Sequence, residues 1–101
     1  MLVMTAFIEV HPKDRDAIHS ALVDVIASTR AEEGCEEYGC YEDTQQRGRY
    51  VFVERWRDQG TLDLHFATPH MAAWMKVLGP RLTSARGFLY QVASTTELRP
   101  R

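Results

Sequence analysis

The chain has 101 residues, 45% of them hydrophobic and 26% charged, with a formal net charge of −2. That size suits one domain spanning residues 1–101, and the balance is that of an ordinary globular protein. There is no basic field for nucleic acid, and Glu32, Glu33, Glu36, Glu37, Glu42 and Asp43 form an acidic run that repels phosphate. No stretch of about 18 apolar residues exists to span a membrane, and Met1 leads directly into a strand pattern. A cytoplasmic protein without signal peptide or membrane contact is therefore expected.

Residues 2–10 read as a first strand. Leu2, Met4, Ala6, Ile8 and Val10 line one face, and the other is also largely apolar, so both faces expect cover. His11 and Pro12 end it. A helix is predicted over 14–33, because Ala17, Ile18, Ala21, Leu22, Val25 and Ile26 recur at helical spacing, with Gly34 as its stop. His19, at the edge of that stripe, is expected in solvent. A second strand is expected over 35–43. Cys35 and Cys40 lie five apart within it, which places them on opposite faces, unpaired and not metal-bound.

A turn over 44–48 leads to the most informative stretch. Residues 50–56 are β-branched or aromatic at most positions, and Tyr50, Phe52, Glu54 and Trp56 share one face. Asp58 is an N-cap for a short helical piece carrying Leu62, His65 and Phe66. Thr68 caps a second piece with Pro69 at its first position. In that piece Met71, Trp74, Met75 and Leu78 form an apolar stripe closed by Gly79 and Pro80. A last strand is expected over 88–93, followed by a frayed tail over 95–101. The order β-α-β-β-α-β is that of a ferredoxin-like α+β fold, a four-stranded antiparallel sheet with its helices on one face. The second, apolar sheet face then needs a partner, and a homodimer packed sheet to sheet is the expected solution.

Titratable and aromatic groups converge on 54–74. His65 is either a general base oriented by Glu54 or a histidine bonding a carboxylate at the helix–sheet seam. His70, near a helix N-terminus that favours neutral imidazole, either contacts an anionic substrate or faces solvent. The break at Thr68 and Pro69 puts the two histidines on different helical segments, so no metal site is expected from them. Trp56 and Trp74 either wall a pocket for a flat aromatic ligand or belong to the core. No glycine-rich dinucleotide motif, phosphate loop or nucleophile elbow occurs, so no nicotinamide, flavin or nucleotide cofactor is expected.

The set Gly34, Cys35 and Tyr38, then Tyr41 and Asp43, Val53 to Trp56, Leu62 and His65, and Thr68 to His70 resembles the antibiotic biosynthesis monooxygenase family, including its quinol monooxygenases. The resemblance implies a dimeric α+β barrel. It also implies oxygenation of a small phenolic or quinol-type aromatic molecule by dioxygen with no metal or flavin, the ionised ring supplying the electrons. His65 and Glu54 would then ionise or orient the phenol, with Trp56 and Phe52 lining the pocket; Trp74 and His70 are the further substrate contacts expected from the residues themselves. The family's haem-degrading members use an Asn–Trp–His set, and this chain contains no Asn. Two other roles on the same fold stay open: a non-catalytic module that binds a small molecule, and an isomerase of a small polar metabolite.

Overall fold

A computed structural model describes residues 1–100; of the tail expected to fray, Arg101 lies outside them. The chain order is β1 (Leu2–Val10), α1 (Arg15–Arg30), β2 (Cys35–Glu42), β3 (Arg49–Trp56), α2 (Gln59–Phe66), α3 (Pro69–Leu78) and β4 (Leu82–Gln91). Short 3-10 turns at Pro12–Asp14 and Gly79–Arg81 precede α1 and β4. The strands form one antiparallel sheet in the order β2-β3-β1-β4, the ferredoxin-like arrangement. No helix among the described residues is long and apolar enough to cross a membrane.

The alternation read in β3 is present: Tyr50, Phe52, Glu54 and Trp56 are buried and the residues between them are only partly so. All three helices meet that one face. His19 of α1 lies edge-on to Tyr50, His65 of α2 is beside Trp56, and Trp74 of α3 is edge-on to Phe52. His19, expected in solvent, is exposed but also bonds the Tyr50 hydroxyl at 2.7 Å. The other face pairs Val3, Thr5 and Phe7 of β1 with Tyr90, Phe88 and Arg86 of β4, and no helix among the described residues covers it.

Two expectations need correction. β4 begins at Leu82, six residues before the expected start, and ends at Gln91. Ser84, Arg86 and Gly87 carry little strand propensity, so this segment is extended because it forms a ladder with β1, not because of its own residues. Cys35 and Cys40 are free, but they do not face opposite ways. The ladder slips between Cys35 and Glu37, so Cys35 pairs with Trp56 and Cys40 with Phe52, and both thiols share the helix-covered face. The extra residue of a bulge inverts the parity of everything on one side of it.

Local chemistry fixes where α2 lies. Gly34 has φ +82°, and a Cβ there would collide with the Thr61 side chain. Its bare backbone lets the start of α2 close over the turn between α1 and β2, and its carbonyl accepts from Arg57 N–H at 2.8 Å. Asp58 caps α2 as expected, accepting from Thr61 N–H at 2.9 Å within a reciprocal capping box. Thr68 caps α3 and also donates its hydroxyl to the His65 carbonyl at 2.7 Å, which joins the two helices.

Candidate active site

An apolar cavity of about 190 Å³ lies between the helix-covered sheet face and α3. Met4, Ala6 and Ile8 of β1, Phe52 and Glu54 of β3, and Met71 and Trp74 of α3 contribute to its wall, with Tyr38 and Phe66 at one end. Glu54 is the one carboxyl on that wall, and only 4% of it is exposed. Burial pushes its pKa up to about 7; the indole N–H of Trp56, donating to Oε1 at 2.9 Å, opposes this, and the nearby Glu32 carboxylate adds to it. A carboxyl held at the midpoint of its titration near neutral pH is suited to taking and returning a proton.

His65 sits one layer behind. It is 1% exposed, its ring centroid 4.7 Å from that of Trp56 and about 5.5 Å from those of Tyr38 and Phe66. Its partner is not Glu54, as expected, but Glu32: Nδ1 stands 2.7 Å from Glu32 Oε2. A carboxylate only accepts, so the proton resides on Nδ1 and the lone pair on Nε2. That Nε2 is buried and has no hydrogen-bond partner among the described residues. Burial lowers the His65 pKa and keeps the ring neutral; the Glu32 hydrogen bond and charge work against the shift, and His70 assists it.

His70 bonds the same oxygen, its Nε2 2.7 Å from Glu32 Oε2. The break at Thr68 and Pro69 therefore does not separate the two imidazoles, contrary to the sequence argument; it folds α3 back so that they converge. Glu32, His65 and His70 bring three ligand atoms within 4.8 Å, the composition of a two-histidine, one-carboxylate metal triad. As it stands, two short hydrogen bonds close that set.

Of the residues expected at a substrate, Phe52 and Trp74 line the cavity, while Trp56 and His70 stand off its wall. Trp56 is fully buried and links the two titratable groups, its N–H on Glu54 and its ring on His65. His70 opens instead onto a groove between α1 and α3. Sequence reasoning missed Glu32 as a site residue. It lies just beyond α1 in an acidic run, and its partners are 33 and 38 residues away, so no spacing marks it. Tyr38, given no role of its own at the site from sequence, also lines the cavity, beside His65. The periodicity of β2, with a tyrosine opposite Glu54, was the available signal.

Residues 1–77 match the family model described as antibiotic biosynthesis monooxygenase. "Putative monooxygenase YcnE" of Bacillus subtilis is 31% identical over 85 residues, 84% of this chain and 88% of that protein. "Putative monooxygenase Rv0793" of Mycobacterium tuberculosis is 38% identical over 72 residues, 71% of this chain and 70% of that protein. The solved Rv0793 structure superposes with a TM-score of 0.85, covering 95% of this chain and 98% of that one at 29% identity. A Deinococcus radiodurans structure of the same family description has a TM-score of 0.90 over 99% of this chain and all of that one. At 22% identity it speaks for the fold alone.

Proposed function

The chain belongs to the antibiotic biosynthesis monooxygenase family, and from that premise we propose that it oxygenates a small phenolic or quinol-type aromatic substrate with dioxygen, without metal or flavin. The observation that carries this reading is a carboxyl with a pKa of about 7 on the wall of an otherwise apolar, aromatic cavity. An aromatic ring fits such walls, and Glu54 is where its hydroxyl finds a proton acceptor.

The balance needs no outside reductant. A quinol gives its phenolic proton to Glu54, and the electron-rich ring carbon reduces dioxygen and bonds to it as a peroxide. The proton returns to the outer oxygen. Removal of the hydrogen on that carbon then breaks the O–O bond, leaving a carbonyl and expelling hydroxide, which departs as water once protonated. Quinol and dioxygen give hydroxyquinone and water. Glu54 at the wall serves both deprotonations, free for the second once it has returned the first proton, while His65, one layer behind the wall with its Nε2 lone pair oriented by Glu32, is a proton acceptor not in contact with the substrate.

The isomerase alternative calls for a polar pocket closed by His70 and arginines. His70 lies off this cavity and no arginine lines it, so the apolar-substrate reading is favoured. The uncovered sheet face supports a homodimer packed face to face, since Phe88 and Tyr90 stand 40% and 51% exposed beside Phe7 and Val3. Sedimentation at micromolar concentration should then give twice the chain mass. For the activity, single-ring quinols and phenols are screened for oxygen uptake in chelated buffer from pH 6 to 9. Uptake that tracks substrate supports the enzyme, and binding with no uptake supports a binding module.

A further inference from the structure

The cavity at Glu54 and the groove at His70 share one wall. Trp74 is buried, packs edge-on to Phe52 with ring centroids 5.8 Å apart, and lines both spaces. On the sheet side it bounds the 190 Å³ cavity. On the helix side it bounds a groove of about 410 Å³ between α1 and α3, kept open by the small side chains of Ala17, Ala21 and Ala73. An apolar protein cavity of about 150 Å³ accepts a benzene molecule. A space of 190 Å³ therefore takes one ring with its hydroxyl groups, and a second and third fused ring fall outside that volume.

We propose that Trp74 is the residue that sets substrate size, confining the site to single-ring phenols and quinols by dividing the cavity from the α1–α3 groove. The inference rests on the phenolic reading of the site given above, but it concerns what fits and not what reacts. With the indole removed, the two spaces join beside Glu54, and a fused-ring ligand can lie with its hydroxyl at the carboxyl and its far rings between the helices. The groove then presents Ala21, Val25 and Val77 to those rings.

The test is binding under anaerobic conditions, which separates fit from turnover. Methylhydroquinone, a naphthohydroquinone and a three-ring anthrone are titrated calorimetrically into the wild type, Trp74→Ala and Trp74→Phe. The wild type should bind the single-ring ligand at least about tenfold more tightly than the anthrone. Trp74→Ala should reverse that order, and Trp74→Phe, which removes half of the indole, should fall between. If Trp74→Ala does not fold, Trp74→Phe carries the test, with a preference shifted about threefold or more towards two rings. A wild type that binds the anthrone as tightly as methylhydroquinone overturns the proposal, as does an unchanged preference in the folded variants. Tight single-ring binding with no oxygen uptake on readmitting air would instead defeat the oxygenase reading and leave the role of Trp74 standing.

Discussion

Replacing Glu54 by Gln should stabilise the protein at alkaline pH. The carboxyl ionises at about 7 in the fold against an ordinary value of 4.5, because burial disfavours its charge. Below pH 4.5 it is neutral in both states and contributes no cost. As pH rises, the unfolded chain releases its proton first, so stability is lost progressively up to pH 7 and is constant above. A gap of that size corresponds to about 3 kcal/mol at about 1.4 kcal/mol per pH unit. Gln keeps the shape and an oxygen to accept the Trp56 N–H, but cannot ionise. Denaturant unfolding of both proteins at one fixed concentration, from pH 4 to pH 8, isolates the effect, because the other titrating groups cancel in the difference. The advantage of Glu54→Gln should grow by about 3 kcal/mol across that range, with most of the change between pH 4.5 and 7. A difference that stays flat with pH would refute the claim that this carboxyl is held neutral by its surroundings, and with it the case for Glu54 as a base.

His65→Ala should lower turnover by about 10²- to 10⁴-fold if Nε2 accepts a proton, and should also cost about 1–3 kcal/mol of stability, since Glu32 loses one of two partners. A destabilised variant with full turnover per folded molecule would confine His65 to a structural role. Gly34→Ala should destabilise by at least about 1–2 kcal/mol, because the new Cβ meets Thr61 and the left-handed backbone disfavours a side chain; thermal unfolding measures it. Burial pushes the Cys35 thiol up to about 11 and that of Cys40 to about 12. In the native protein both should react slowly with a disulfide reagent at pH 8, and unfolding without reductant should release two titratable thiols.

Local signals in the sequence sufficed for most of the scaffold. The two-residue period of β3, the Asp58 and Thr68 caps and the Met71–Trp74–Met75–Leu78 stripe each depend on neighbours a few residues away. What escaped were features set by distant contacts. The early start of β4 comes from its ladder with β1, and the shared face of the two cysteines from a single bulged residue. The pairing of Glu32 with His65 and His70 depends on how α2 settles over Gly34, which no spacing encodes. The chemical groups at the site were legible as types: a carboxylate, an imidazole and aromatic walls at 52–74. Their partnership was not, so the carboxylate assigned to His65 proved to be the one facing the cavity. His65 itself is among the most buried of the described residues.

The fate of the two oxygen atoms separates oxygenation from simple oxidation of the quinol. The protein, in chelated buffer without added reductant, is given a single-ring quinol under ¹⁸O-labelled dioxygen, beside its Glu54→Gln variant. One labelled oxygen atom should appear in the hydroxyquinone and the other in water, with one dioxygen consumed per quinol, and the variant should be slower by about 10²-fold or more. Release of hydrogen peroxide with an unlabelled quinone, or equal rates for the two proteins, would contradict it.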